Sequence, residues 1–432
     1  MVYLLYDIAV WLTAIFLVPC YLLRSLLQGK VRRGIRERLG FFPRQRFLDF
    51  AGKDVFWIHA VSVGETRAAM PLIKALRKAH PHAVLLLSNV TETGHAIASD
   101  IKEIDDAIFF PLDASWVVKR VLRRINPCHV LIIETELWPN FIRHCHRLRI
   151  PIQLVNGRIS NRSFPRYLRV KRLVEPLLNK LSWFCMQSSI DAKRIAKLGA
   201  PRSRITVTGN LKFDMESTLP PDIDAVELRR EFCLNQTAPV LVAGSTHAGE
   251  EEQLVDVYQR LLYEFPELIL ILVPRHPQRC KAVGELLSEK KLIWRLRSHQ
   301  SETDGQQVNG GGVLLVDTIG EMLRFYAVAQ VVFVGGSLVN IGGHNILEAA
   351  LLKKTVLFGP HMHNFREIAA LIEQAQGIGR VNDASELYVQ LRELLSSPQR
   401  CRQMGESGWA LLQDNAGASQ KTLQEISRCS LN

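Results

Sequence analysis

At 432 residues and 47% hydrophobic content, the chain can bury more than one core, and two domains are expected. Charged residues at 22%, with Gly and Pro in ordinary numbers, exclude a disordered or fibrous protein. The formal charge of +12 points to an anionic partner, for which nucleic acid, acidic headgroups and phosphorylated substrates all qualify. The eight cysteines include no CxxC pair and no regular spacing, so they indicate neither a zinc site nor a disulfide framework.

The N-terminus is the first informative segment. Met1 to Leu23 is apolar apart from Asp7, and as a helix it spans roughly 33 Å, enough to cross a bilayer core. Tyr3, Tyr6 and Tyr21 sit near its ends, as interfacial aromatics do. Arg24, Lys30, Arg32, Arg33, Arg36 and Arg38 follow, which places the C-terminal end in the cytoplasm. A cleaved signal peptide would show the reverse order. Residues 1–27 are therefore expected to form a membrane-anchor helix. A core helix or an interfacial helix is the alternative, favoured by the cost of placing Asp7 at depth.

Beyond residue 28, short apolar runs alternate with amphipathic helices. Val55–Ile58, Val84–Leu87, Ile108–Phe110, Val130–Ile133, Ile152–Val155 and Trp183–Met186 read as buried strands. Thr66–Ala79, Ser115–Arg124 and Leu137–Leu148 read as helices between them. After the Pro- and acid-containing stretch Glu216–Asp224 a second series begins: Val240–Ala243, Ile269–Val273, Val313–Val316, Val331–Val334 and Val356–Phe358. Continuous apolar strands alternating with helices mean a parallel sheet covered on both faces. The pattern predicts two doubly wound α/β domains, at 28–215 and 236–385, joined by a linker at 216–235. Helices at 386–432 close the chain. Two such domains offer a cleft for a ligand.

In parallel sheets ligands gather at the C-terminal strand ends, and the unusual residues of this chain lie there. The first strand runs into Ser62-Val63-Gly64-Glu65. A carboxylate at that position can take a proton from an attacking hydroxyl, or it can simply complement a helix dipole; the residues alone favour neither. Glu134-Thr135-Glu136-Leu137-Trp138-Pro139-Asn140 follows the fourth strand, either to bind a hydroxylated acceptor or to open a helix. Arg158 and its basic neighbours follow the fifth, where a phosphorylated or lipid-borne acceptor would meet positive charge. Lys212 lies in Gly209-Asn210-Leu211-Lys212-Phe213-Asp214. In the second series, Ser245 and Thr246 in Gly244–Glu251 offer backbone amides to an anion. Arg275 and His276 come from Pro274–Pro277. Arg275 and Lys212 suit a departing phosphate. The densest motif is Gly335–Ala350. Its Gly342, Gly343 and Asn345 suit a phosphate at a helix start, and Glu348 suits ribose hydroxyls. His361 and His363 lack a third ligand at metal spacing, so no metal is expected.

Seven of these motifs, in order, resemble those of the 3-deoxy-D-manno-octulosonic acid (Kdo) transferases of Gram-negative bacteria: Ser62–Glu65, Glu134–Asn140, Gly209–Asp214, Gly244–Glu251, Pro274–Pro277, Gly335–Glu348 and Gly359–Phe365. The resemblance implies a GT-B fold and an inner-membrane enzyme with its catalytic domains on the cytoplasmic face. It implies inverting, metal-independent transfer of Kdo from CMP-Kdo to a tetraacyldisaccharide 4′-phosphate lipid A precursor, with no cofactor and no nucleic acid. It assigns the general base to Glu65. Glu134 and Arg158 fall on the acceptor side. Lys212, Ser245, Thr246, Arg275, His276, Gly342, Gly343, Asn345 and Glu348 fall on the donor side. Ile346 and Ala349 stand where this family commonly has proline, and Asn161 where an acid is frequent. A UDP-sugar transferase or epimerase of the same fold, or a non-catalytic protein binding anionic lipid, are the competing readings.

Overall fold

A computed structural model describes residues 3, 6–13, 15, 34–214, 223–299, 310–377 and 379–430. The chain divides into two compact units. One comprises Met1–Ser217 with Ala416–Asn432, and the other Thr218–Asn415.

The first unit is built on a seven-stranded parallel sheet of order β3-β2-β1-β4-β5-β6-β7. Its strands are β1 (Val55–His59), β2 (Val84–Asn89), β3 (Asp106–Phe109), β4 (His129–Ile133), β5 (Ile152–Gly157), β6 (Trp183–Met186) and β7 (Ile205–Val207). Both faces are covered, which is why the strands read as unbroken apolar runs. In β1, Phe56 and Ile58 pack with Leu72 and Ile73 on one face, while Val55 and Trp57 join Val117 and Phe141 on the other. The order reverses between β1 and β4, so the loops after these two strands flank the switch point where such sheets bind ligands. β7 has no counterpart among the expected strands.

The expected anchor, residues 1–27, lies largely outside the described residues. Residues 6–13 are helical. Among the described residues no helix is long and apolar enough to cross a membrane. Val10 and Trp11 pack against the core of the first unit, and Trp11 lies parallel to Trp116 at 5.9 Å. Asp7 accepts from the Ser115 N–H (2.9 Å) and from Asn140 Nδ2 (2.8 Å), and Tyr6 donates to Asp113 (2.9 Å). The carboxylate that set Asp7 apart in the sequence thus caps the helix Ser115–Ile125. In the basic flank, Arg38 is spoken for: it donates to the Val90 carbonyl and lies over the Phe109 ring.

The second unit holds a six-stranded parallel sheet of order β10-β11-β9-β8-β12-β13. These are β8 (Val240–Thr246), β9 (Ile269–Pro274), β10 (Ile293–Leu296), β11 (Gly312–Leu315), β12 (Val331–Val334) and β13 (Thr355–Phe358). The reversal here falls between β8 and β12. Within the expected linker, 216–235, the described part carries the helix Ala225–Glu231, which Asp224 caps. Phe232 is buried against Phe325 at 4.8 Å, so this stretch is part of the second unit.

The expected C-terminal block, 386–432, is shared between the units. Ala384–Leu395 and Pro398–Asn415 complete the second, and Ala418–Ser430 returns to the first. One acid holds the returning helix. Asp214 accepts from the N–H groups of Gly417 (2.7 Å), Ala418 (3.2 Å) and Ser419 (2.5 Å). A cap contributes about 1 kcal/mol. Asp214→Ala should therefore speed amide exchange over 418–430 by about fivefold, leaving the second unit unchanged; hydrogen exchange with mass spectrometry reads this.

Candidate active site

In the first unit, Ser62 caps the helix Val63–Ala79, and Glu65 stands in its first turn. The Glu65 carboxylate accepts from the Val61 N–H (2.7 Å) and from the Ser62 hydroxyl (2.9 Å). It therefore belongs to a variant of the capping box, in which serine and glutamate satisfy each other's neighbourhood. Capping does not exhaust its chemistry. Burial pushes its pKa up to about 7, opposed by the Val61 N–H and Ser62 hydrogen bonds and reinforced by the negative charges of Glu134 and Glu136. Glu136 is itself raised by burial and by Glu134. Three carboxyl groups from the loops after β1 and β4 thus form one electrostatic cluster beside the switch point.

Glu134 occupies a left-handed backbone conformation, φ 60°. For a non-glycine this stores strain, which persists where surrounding contacts over-determine it. Its N–H donates to Val155 O (2.8 Å), and Thr135 bridges to the next loop by accepting from the Arg158 N–H at 3.2 Å. Arg158 is thereby fixed beside the acid-bearing loop. Asn156, also left-handed at φ 55°, accepts from the Leu211 N–H at 3.0 Å. That bond ties the end of β5 to the short turn Leu211–Phe213 carrying Lys212, which puts Lys212 on the first unit. Asn161, at a position where an acid is frequent in the resembling family, accepts from Arg194. His59 ends β1 fully buried. Burial holds it down to about 3, so it remains a neutral core side chain against Phe110.

In the second unit the loops after β8 and β12 are joined by one buried carboxylate. Glu250 accepts from the N–H groups of His247 (2.8 Å), Gly336, Ser337 (3.4 Å) and Leu338 (3.3 Å). The Ser337 hydroxyl in turn accepts from the Gly359 N–H at 2.8 Å. Gly343, at φ 73°, crosses so near Met362 that a β-carbon would fall on the thioether sulfur. Only glycine fits that close approach.

Around this core lie the expected donor-side residues of the second unit, at the strand ends; Lys212 belongs to the first unit. Ser245 is left-handed at φ 58°. Thr246 donates to Glu251, which Arg279 pairs, and the Thr246 carbonyl accepts from the Arg275 N–H at 2.9 Å. The Arg275 and His276 side chains are exposed beside it. Asn345 donates to Glu348 (3.2 Å) and accepts from the Leu347 N–H (3.2 Å). The helix there is Leu347–Leu351, so Gly342 and Gly343, expected at a helix start, shape a loop before it and do not open the helix. Gly342 packs against His363 and Asn364. Among the described residues no cluster of three or more His, Cys, Asp or Glu side chains has the arrangement of a metal site.

Residues 33–215 match the model of the 3-deoxy-D-manno-octulosonic-acid transferase (kdotransferase) family. A 3-deoxy-D-manno-octulosonic acid transferase of Haemophilus influenzae is 34% identical over 94% of both chains. The chain belongs to this family. A Kdo transferase of Bordetella pertussis is 32% identical over 86% of each chain. In fold, the chain is also similar to the UDP-GlcNAc 2-epimerase of Neisseria meningitidis, with a TM-score of 0.59, 14% identity, and coverage of 87% of this chain and 100% of that one. The α/β architecture with two parallel sheets is GT-B-like, and the protein is a glycosyltransferase.

Sequence reasoning missed Glu250. The signal was present: residue 250 lies on the same helical face as Leu254, Val257 and Leu261, all buried, so an acid there falls on the core stripe. Replacing Glu250 by Ala leaves several buried amides without an acceptor, at about 1–3 kcal/mol each. Denaturant unfolding of this glycosyltransferase should therefore lose at least about 3 kcal/mol in the Glu250→Ala variant, whereas Glu285→Ala, at an exposed position, should shift it by less than about 0.5 kcal/mol.

Proposed function

We propose that this Kdo transferase moves Kdo from CMP-Kdo to a lipid A precursor, inverting the anomeric centre without a metal, with Glu65 as general base. The observation carrying the proposal is a half-buried carboxyl group beside the switch point of the first unit, poised at about 7 among two further acids. An acid with that pKa is ionised often enough near neutrality to act, yet basic enough to accept a hydroxyl proton. In the proposed step Glu65 takes the proton from an acceptor hydroxyl. The hydroxyl oxygen forms the new bond to the anomeric carbon of Kdo, and the bond from that carbon to the CMP oxygen breaks, its electron pair leaving on the phosphate.

Glu134 and Arg158 are proposed on the acceptor side. Arg158, welded to the Glu134 loop through Thr135, suits the acceptor phosphate. The donor is proposed to bind the second unit, where Arg275 and the loop amides suit its phosphodiester and Glu348 its ribose. Lys212 is proposed to neutralise the leaving phosphate.

A site at the cytoplasmic face of the inner membrane belongs to the same proposal. It is supported by Trp116 and Phe41, exposed on the first unit next to Lys119, Arg120, Arg123 and Arg124. An aromatic edge with basic neighbours suits an anionic headgroup layer.

The pH profile tests the base assignment. The base works ionised, so kcat/KM for the lipid acceptor should climb as pH rises through about 7 and then level off. Glu65→Gln should cut turnover by about 10²–10⁴ while donor binding survives. Glu134→Gln removes a neighbouring negative charge and should move the rising limb to lower pH. A limb unmoved by both variants assigns the proton transfer to another group. Mass spectrometry of the lipid product, gaining Kdo with release of CMP, tests donor and acceptor together.

A further inference from the structure

At the switch point of the second unit the loops after β8 and β12 meet in a contact that the donor assignment leaves unused. His247 and His344 approach through their Nε2 atoms, 2.9 Å apart. Their ring planes are parallel within 4°, and the ring centres are 5.2 Å apart. The gap between those two separations is what two imidazole radii occupy, so each nitrogen points along the line joining the ring centres. This is an in-plane N–H···N hydrogen bond, not a stack.

Such a bond needs one proton between the two nitrogens. With none, two lone pairs would face each other; with two, the N–H groups would collide. The neutral pair therefore has one ring donating from Nε2 with a bare Nδ1, and the other accepting at Nε2 while holding its proton on Nδ1. A further proton enters at the bare Nδ1. It makes the donor ring an imidazolium and the bridge a charge-assisted bond, shorter and stronger than the neutral one.

The surroundings decide when that proton enters. From the loop after β9, His276 stands edge-on to His247 at 5.8 Å, with Arg275 and Arg279 nearby. From the helix after β8, Glu250 and Glu251 face the same loops, but four N–H groups and Arg279 already engage them. Glu348 lies on the helix after β12, and His361 and His363 on the loop after β13. Burial, and then the positive charge of His276, Arg275 and Arg279, hold His247 below the ordinary imidazole range; Glu251 alone works against them. That field disfavours a further proton on His247. An anion beside it reverses the local field.

We propose that His247 and His344 form a proton-sharing pair that reads the charge of the donor phosphate, taking up one proton as a nucleotide phosphodiester binds the second unit. The proposal rests on the donor assignment above. Its consequence is donor affinity that weakens as pH rises, independently of the ionisation of Glu65.

Calorimetry on the full chain tests it, using the methyl ester of CMP. This phosphodiester has no group of its own titrating between about pH 6 and 8, so any proton taken up goes to the protein. Titrations in buffers of different ionisation enthalpy should show net uptake approaching about one proton near neutrality, with affinity falling there by about tenfold per pH unit. His344→Gln and His247→Gln, each melting like the wild type, should lose most of the uptake and the pH dependence. Ester binding without proton uptake, or uptake that persists in both variants, overturns the proton-sharing role and leaves the donor assignment standing. No ester binding by the wild-type chain overturns the donor assignment, and this role with it.

Discussion

The buried carboxylate of Glu250 is the constraint on which the second unit's site depends. Fully removed from water, it would be prohibitively placed without partners. Four backbone N–H groups from two separate loops supply them. Because those amides belong to the segments after β8 and β12, satisfying one acid also sets the register between them. The contact between His247 and His344 follows from that register.

Glu65 shows the opposite outcome for the same side chain at an equivalent place, the start of the helix after the first strand of a sheet. It receives one backbone N–H and one hydroxyl, and it faces two other acids. Partial satisfaction leaves its ionisation responsive. Glu250 holds loops together; Glu65 keeps a proton equilibrium near neutrality. Burial raises Glu250 as well, against the lowering effect of its four N–H bonds, so what distinguishes the two acids is the loops that each one joins.

Much of the fold was legible because buried parallel strands leave unbroken apolar runs, as in Val130–Ile133 and Val331–Val334. The elements that escaped are half-exposed. β7 leaves Val207 open to solvent, and β10 leaves Ile293 open, so neither writes a continuous apolar run. The return of Ala418–Ser430 to the first unit had no local signature at all. It depends on Asp214, some two hundred positions earlier in the chain. In the site, Glu65 and the strand-end glycines stood out because turns at those ends need special residues. The imidazole pair did not, because its halves lie 97 residues apart and only the topology joins them. Of the eight non-glycine residues in left-handed backbone among the described residues, three, Glu134, Asn156 and Ser245, lie at C-terminal strand ends. None carried a sequence signal, since nothing local distinguishes a strained glutamate from a relaxed one.

Charge sorts the proposed chemistry between the two units. Glu65, Glu134 and Glu136 give the first unit's switch point a negative field, whereas Arg275, Arg279 and His276 give the second a positive one. In the proposed assignment a donor carrying a carboxylate and a phosphodiester would be disfavoured by the first and favoured by the second. A neutral hydroxyl is indifferent to the net charge, and it gains an acceptor among the carboxylates. Burial, reinforced by those acids, raises Glu65 toward neutrality, so in the proposed assignment the cluster tunes the group that would deprotonate the acceptor. Spreading three like charges over a small area is unfavourable to folding. That penalty, together with the strain at Glu134, is placed where it would serve proton transfer, and the well-packed sheet beneath is what allows it to persist.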